Sequence, residues 1–257
     1  MKKFLYAATA LLFIFPAASL AQETKTTGNG NTNLQLFYDF GKDRKIVTTT
    51  VEGFYNDPWG NTFLFIDHDF TPQQRAINGT YMEIARCFNF WQDGFFSPIS
   101  LQLEYNGGVY SRYNINHAFL AGVDVFFHSA DYRNTLNLKV LYKYIVYDSN
   151  SVTSRLPMQF TLVWGMQDLF GLKGLRFCGF ADLWGQEHSL YYDTTGAELG
   201  SPVSSSYVFI SEPQLWYSLG ALGCSNLNLG GEVELAWNFG STKGFAVRPC
   251  LGIKWVF

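Results

Sequence analysis

Apolar and polar residues alternate along most of the chain, and clusters of Gly, Asn, Asp and Pro interrupt the alternation. A period of two broken by such clusters is typical of strands joined by hairpin turns. No helical period, linker or repeat of fixed length is present. The pattern predicts twelve strands, at residues 34–40, 45–56, 61–70, 80–90, 98–106, 115–128, 134–147, 156–165, 174–185, 206–219, 225–239 and 244–257.

The two faces of these strands differ in polarity. In the seventh predicted strand, Leu138, Val140 and Tyr142 alternate with Lys139 and Lys143. A soluble sandwich or barrel would turn the apolar face inward, whereas a membrane barrel turns it to lipid and its charges to a wet lumen. The polar face along the chain holds Glu52, Asp67, Asp69, Glu83, Glu104, Asp124, Lys139, Lys143, Arg176, Asp182, Glu212, Glu232, Glu234, Arg248 and Lys254.

Three features favour the membrane barrel. The strands are long enough to cross a bilayer, and aromatic residues cluster at their ends. Connections such as TPQQRAING, GGVYSRYN, DSNSVTSR and QEHSLYYDTTGAELGSPVS alternate with shorter ones such as NDPWGN, SADYRN and GALGC, although the first and last hairpins and MQDLFGLKG break this order. Long outer loops and short inner turns are typical of outer-membrane barrels. Residues 34–257 are therefore predicted to form an all-β fold, a twelve-stranded antiparallel transmembrane β-barrel of outer-membrane type.

The last residues, CLGIKWVF, support the same fold. Leu251, Ile253, Trp255 and Phe257 share one face of a strand that runs to the final residue. A closed barrel pairs its last strand with its first, because lipid cannot satisfy an open edge. Alternating apolar residues that finish on an aromatic resemble the assembly signal of bacterial outer-membrane barrels. We therefore expect the barrel-assembly machinery to recognise Phe257 and the outer-membrane lipids to surround the barrel.

The amino-terminal segment predicts export. Residues 1–21 combine two lysines, an apolar run and the small residues AASLA, which is the pattern of a secretory signal peptide cleaved after Ala21. Residues 22–33 are predicted to be a flexible lead-in to the barrel. The expected location is the outer membrane of a Gram-negative bacterium.

Composition narrows the function. Charged residues make up 15% of the chain and the formal net charge is -3, which argues against a nucleic-acid partner. Cys87, Cys178, Cys224 and Cys250 lie in strand-like segments without a zinc-binding spacing, so metal ligation is not predicted. In an exported chain these cysteines would permit two disulfides or remain thiols.

Three segments carry a resemblance to a known family. VEGFYNDPWGNTFLFIDHDF, YMEIARCFNF and LRFCGFADLWG are similar to the Tsx-like nucleoside-specific channels of the outer membrane, most densely over Val51–Phe90. The resemblance implies a narrow twelve-stranded barrel that passes nucleosides by facilitated diffusion without a cofactor.

The same stretch holds the candidate pathway. Aromatic rings can stack on a nucleobase, and carboxylates can accept hydrogen bonds from ribose hydroxyls or exocyclic amines. A conduction path needs several such contacts, each weak enough to release its ligand. We place the substrate pathway along Glu52, Phe54, Phe65, Asp67 and Glu83. The structural alternative is that lumen acids pair with Lys139, Lys143, Arg176, Arg248 and Lys254 while Phe63, Phe65 and Trp216 fill the bore.

Two other classes of protein fit a barrel. A phospholipase-like hydrolase would need a Ser and a His in hydrogen-bond reach on the lipid face. His128–Ser129 and His188–Ser189 are adjacent pairs, but neighbouring strand residues point to opposite faces and the second pair lies in a predicted loop. A non-conducting structural or adhesion barrel is the other alternative. We predict a channel and no enzymatic activity.

Overall fold

The fold was analysed in a computed structural model of the chain, which describes residues 29–71, 76–91, 93–111, 114–147 and 152–257. The predicted signal peptide, residues 1–21, lies outside the described residues and stays a prediction.

The described residues form one antiparallel sheet that closes on itself. Apart from one interrupted strand, consecutive strands pair with each other, and the last strand pairs with the first. The strands are β1 (Asn29–Asp39), β2 (Val47–Asp57), β3 (Gly60–Phe70), β4 (Ile77–Phe88), β5 (Ile99–Tyr110), β6 (Asn114–His128), β7 (Asn134–Ile145), β8 (Met158–Gln167), β9 (Leu175–Tyr192), β10 (Glu198–Ser211), β11 (Gln214–Leu219), β12 (Cys224–Trp237) and β13 (Phe245–Val256).

The barrel has twelve strands around its circumference, because β10 and β11 together form one interrupted strand. Both pair with β9 and with β12 in unbroken register across Glu212 and Pro213. Pro213 lacks the N–H that the ladder would use there. Gly179 faces this break, and a Cβ on Gly179 would come within 2.3 Å of the Glu212 carbonyl oxygen. The predicted all-β, twelve-stranded antiparallel barrel is confirmed.

Closure removes both sheet edges, as a lipid environment requires. Leu34 pairs with Trp255 and Leu36 with Ile253 in the β1–β13 ladder, and the Phe257 amide donates to the Thr32 carbonyl at 2.9 Å. We call the end of the barrel that holds Asn29 and Phe257 the near rim, and the opposite end the far rim. Recognition of Phe257 by the barrel-assembly machinery stays a prediction.

The apolar face of the strands points outward. On β7, the Val140 side chain is 47% exposed on the outer surface, whereas Lys143 on the other parity is 6% exposed and lies inside. Gln102 on β5 is fully buried inside. Exposed aromatic side chains occur at both ends, with Trp59 at the near rim and Tyr144 at the far rim. These are the inverted polarity and the aromatic belts of a membrane barrel.

Among the described residues, no helix is long and apolar enough to cross a membrane.

Three expectations about strand ends and connections differ from the structure. β1 begins at Asn29, inside the predicted lead-in of residues 22–33, because residues 29–33 pair with β2. The predicted long connection between the ninth and tenth strands is mostly hairpin, since β9 runs to Tyr192 and β10 starts at Glu198. The predicted alternation of long and short connections holds only in part. The connection between β7 and β8 is long at the far rim, but ladder pairing absorbs much of those after β5 and β9, and a long connection also separates β4 from β5 at the near rim.

Candidate functional site

One side of the barrel interior is filled by apolar side chains. Leu141 on β7 is fully buried, and it belongs to a cluster of buried side chains that also includes Trp184 on β9. We call this side the filled wall: the lumen side chains of β5 to β8 together with this cluster. The cluster comprises Ala118, Leu120, Leu141, Ile145, Trp184, Val208, Ile210 and Ala236.

Polar groups in the filled wall have several partners each. The Glu104 carboxylate accepts hydrogen bonds from Gln102 Nε2 at 2.7 Å and from Asn106 Nδ2 at 3.1 Å. Lys143 Nζ donates to Gln159 Oε1 at 2.7 Å and lies 4.2 Å from the centre of the Trp184 ring. Buried polar groups with such partners hold a well-defined interior rather than a water-filled one.

Another part of the interior is more accessible. Glu52, Phe65 and Glu83 lie side by side on β2, β3 and β4, and Asp67 lies one step along β3. All face the lumen, and their side chains are half-buried. Phe54, at the near-rim end of the same face, is 40% exposed. We call the lumen side chains of Glu52, Phe54, Phe65, Asp67, Glu83, Glu212 and Glu232 the open wall.

Each open-wall acid on β2 to β4 has one neutral hydrogen-bond donor. Asn33 Nδ2 donates to Glu52 at 2.9 Å, and Thr50 Oγ1 donates to Asp67 at 2.5 Å. The Tyr81 hydroxyl lies 3.3 Å from Glu83. Because a carboxylate can accept about four hydrogen bonds, these acids retain capacity for a solute.

The rings of the open wall form a short ladder. The Phe65 ring centre lies 5.8 Å from that of Phe63 and 5.5 Å from that of Tyr81. These tilted contacts fix the rings relative to one another at distances usual for aromatic pairs. A rigid ring beside a carboxylate offers both an apolar face and a hydrogen-bond acceptor.

Glu212 and Glu232 extend the open wall to further strands. Glu212 lies in the interrupted strand formed by β10 and β11, and Glu232 lies on β12. Gln214 Nε2 donates to Glu232 at 2.8 Å, and the Glu232 carboxylate interacts electrostatically with Asp67. The acids of β3 and of β12 therefore border the same part of the lumen.

Two lumen bases cover indole rings. Lys254 Nζ lies 4.3 Å from the centre of the Trp216 ring, and Trp216 Nε1 donates to Gln214 at 2.9 Å. Trp216 is 1% exposed, so its faces are unavailable to a solute. Of the aromatic residues considered from the sequence, Trp216 fills the bore, as the structural alternative anticipated.

An ion-paired group, the mouth clamp, lies at the far rim and consists of Asp39, Asp43, Arg44, Glu234 and Arg248. Arg248 bonds to Asp43 at 2.5 Å and also to Glu234, while Arg44 bonds to Asp39 at 2.9 Å and to Glu234. Burial of Asp43 opposes its ionisation, but the hydrogen bonds and charge of Arg248 outweigh that effect and lower the pKa of Asp43.

A cavity of about 530 Å³ adjoins the mouth clamp. Lys42 and Lys45 of the β1–β2 connection, Asp69 of β3 and Tyr192 of β9 contribute to its lining. The β9–β10 hairpin reaches this mouth, since the Tyr192 amide donates to the Ser241 carbonyl at 3.1 Å. The far rim is thus drawn together by hydrogen bonds and ion pairs.

All five predicted pathway residues face the lumen on three neighbouring strands. Their role in transport stays a prediction. The sequence pattern did not reveal the mouth clamp, because Asp43 and Arg44 come from a connection, and alternation gives no signal outside strands. Asp43 and Arg248 are far apart in the chain, and closure of the barrel brings them together.

The histidines have no serine partner among the described residues. His68 Nδ1 lies 3.0 Å from Thr80 Oγ1, and His117 Nδ1 lies 2.6 Å from the Tyr105 hydroxyl. His128 and His188 contact backbone carbonyls. Within the same described ranges, no group of three or more His, Cys, Asp or Glu side chains is arranged to hold a metal ion. Cys87, Cys178, Cys224 and Cys250 are free thiols.

Fold and lumen polarity together define an antiparallel β-barrel of outer-membrane type. The chain belongs to the family described as Domain of unknown function (DUF5020), whose model matches residues 31–257. No curated protein matches the chain significantly. The resemblance to the Tsx-like channels is not confirmed by these comparisons.

Solved porin structures are similar to this chain at low sequence identity, and a NanC porin structure shares its overall fold. A NanC porin structure superposes with a TM-score of 0.52 and 10% identity, covering 88% of this chain and 98% of that one. A KdgM porin in complex with disordered oligogalacturonate gives a TM-score of 0.47 and 10% identity, covering 88% of this chain and 99% of that one. OprB from Pseudomonas putida gives a TM-score of 0.42 and 9% identity, covering 83% of this chain and 60% of that one.

Proposed function

We propose that this protein is an outer-membrane channel for the passive diffusion of small polar solutes, with nucleosides as its predicted permeants. The observation that carries the proposal is the open wall. Glu52, Phe65 and Glu83 alternate ring and carboxylate across three paired strands, and all remain accessible inside a closed barrel.

The chemistry of the open wall suits a nucleoside. A base can stack against Phe54 or Phe65, and ribose hydroxyls can donate to Glu52, Asp67 or Glu83. Among the described residues, each of these acids accepts a hydrogen bond from one neutral side chain of the barrel and from no base. A hydrogen bond from a solute is therefore replaceable, because no ion pair has to form or break. Several replaceable contacts in sequence allow a solute to enter, move and leave.

Solute uptake into liposomes tests this proposal directly. Liposomes carrying the purified barrel are expected to swell faster in nucleosides than in sugars or amino acids of similar size. If no solute enters faster than into empty liposomes, the channel proposal is wrong. If sugars enter as fast as nucleosides, the channel stands and its nucleoside preference is wrong.

The filled wall supports a second candidate, a structural barrel that does not conduct. Leu141 and Gln102 are fully buried inside the barrel, so part of the bore is closed to water. This candidate predicts planar-bilayer recordings without openings. The channel proposal predicts small conductance steps that added nucleosides reduce.

A further inference from the structure

The cavity at the far rim has the size and the lining of a small-molecule site. Its volume of about 530 Å³ lies within the roughly 300–1,000 Å³ that is usual for such sites. Tyr110 on β5, Tyr192 on β9 and Phe239 of the β12–β13 connection contribute aromatic side chains to the lining. A solute that carries a ring can pack against these side chains.

Two residues of the same lining have a side-chain oxygen without a partner. Thr71 Oγ1 and Asn78 Oδ1 are buried, and neither makes a hydrogen bond within the part of the chain that the structure describes. A buried polar atom without a partner costs free energy, and such atoms are few in folded proteins. A polar solute in the cavity can supply the missing partners.

Two basic side chains of the lining make no ion pair. Lys42 and Lys45 belong to the β1–β2 connection and are exposed. Across the described ranges, neither ammonium lies within 4.0 Å of a carboxylate. A lysine ammonium is a compact charge with three donors, and it binds phosphate readily.

The acids beside these lysines are engaged by other groups. The three carboxylates of the mouth clamp are bound by its two arginines, and their side chains are at most 8% exposed. Asp69 accepts a hydrogen bond from Thr48 Oγ1 at 2.7 Å. In formal charge, Asp69 and the clamp acids balance the two arginines and the two lysines, so the attraction for an anion is local. An anion that enters from water meets the exposed ammonium groups, whereas the clamp carboxylates are buried.

We infer that the far-rim cavity is a binding site for a small organic phosphate, with Lys42 and Lys45 as the contacts of its phosphate group. A phosphate monoester carries roughly 1.5 to 2 negative charges at neutral pH, which two ammonium groups match better than they match a carboxylate. Hydroxyl groups of the solute reach Thr71 and Asn78, and its ring packs against the aromatic part of the lining. The site lies at the mouth and goes beyond the proposed channel function, because binding there does not require conduction.

Saturation-transfer difference NMR on the purified protein in detergent micelles tests the inference, with adenosine monophosphate (AMP) as the probe. AMP should bind about fivefold more tightly than adenosine, which lacks the phosphate, as expected for two exposed ion pairs. Lys42→Gln/Lys45→Gln should remove this advantage, whereas Lys42→Arg/Lys45→Arg keeps both charges and should retain it. The matched control Lys173→Gln/Lys243→Gln removes two exposed lysines that do not line the cavity and should bind AMP as the unaltered protein does.

The competing outcomes are distinct. Equal binding of AMP and adenosine, or equal AMP binding by the glutamine variant and the unaltered protein, would overturn the inference. Excess inorganic phosphate should displace AMP, and its failure to do so would contradict a phosphate contact. Heat-dependent electrophoretic mobility verifies that every variant is folded.

Lipopolysaccharide is the other source of phosphate at a membrane surface. If the glutamine variant co-purifies with less lipopolysaccharide but binds AMP unchanged, the lysines contact the lipid headgroup and the solute site is wrong. None of these measurements depends on ion flow. Failure of the liposome-swelling experiment would therefore remove the proposed channel and leave this site standing.

Discussion

The filled wall and the open wall are built from the same kinds of residue and differ in what surrounds them. Glu104 in the filled wall accepts from two buried amides, whereas Asp67 in the open wall accepts from one threonine hydroxyl. Lys143 is enclosed by Gln159 and Trp184, while Glu212 faces the lumen with no side-chain partner of opposite charge within 4.0 Å among the described residues.

This difference shows how one small barrel can be both stable and accessible. The filled wall gains its stability from buried apolar contact and from the hydrogen bonds of buried polar groups such as Glu104. The open wall leaves acceptor capacity and ring faces available to a solute. Substitutions in the filled wall should therefore change stability, and substitutions in the open wall should change transport.

The largest expected effect is on stability, in the filled wall. Leu141→Ala should lower the free energy of unfolding by about 3 kcal/mol, because it leaves a cavity among closely packed side chains. Leu138 is the matched control on the same strand, with its side chain 44% exposed on the outer face. Leu138→Ala should cost about 1 kcal/mol, since fluid lipid leaves no cavity there.

Denaturant titration followed by tryptophan fluorescence in lipid vesicles gives both values. Equal losses for the two variants would mean that Leu141 borders open water rather than a filled interior. The distinction between a packed filled wall and an accessible open wall would then be wrong.

Strand periodicity was sufficient to predict the barrel. Val140 and Lys143 lie on the faces assigned to them, because a side-chain period of two fixes which residues share a face. The ends of β9 and β10 were not predictable from that pattern. Residues 186–204 are rich in Gly, Ser and Thr, which are typical of turns, yet they extend a hairpin whose neighbours at the far rim supply its hydrogen bonds.

The division of the lumen into a filled wall and an open wall could not be predicted from the sequence either. Phe65 and Trp216 both lie on the lumen parity, and alternation treats them alike. Pairing of β11 and β13 with β12 brings Lys254 over Trp216, and pairing of β3 with β4 leaves Phe65 between Phe63 and Tyr81. Which ring stays accessible depends on contacts between strands, and these are not encoded in the local pattern of any one strand.

A smaller effect is expected on solute affinity, in the open wall. Phe65→Ala should raise the nucleoside concentration that half-blocks conductance by about tenfold, because stacking is worth about 1–3 kcal/mol per base. The control Phe160→Ala removes an aromatic side chain from the outer face of β8 and should leave the block unchanged. Single-channel recording with added nucleoside measures both. An unchanged block in Phe65→Ala would remove Phe65 from the pathway.

The smallest effect concerns the mouth clamp, whose Asp43 is buried and ion-paired with Arg248 although it comes from a connection. Arg248 lowers the pKa of Asp43 in the folded protein, against the opposing effect of burial. The ionised form therefore contributes stability above the usual aspartate pKa of about 3.9, and this contribution is lost as pH falls through the lowered folded-state value.

Asp43→Asn should accordingly be less stable than the unaltered protein at neutral pH, by less than the loss in Leu141→Ala. The difference should shrink once the pH drops below about 3.9. Denaturant titrations of the two proteins at a series of pH values measure it. A difference that stays constant down to strongly acidic pH would mean that Asp43 stabilises the mouth by packing, and the clamp would then belong with the apolar cluster rather than with the ion pairs.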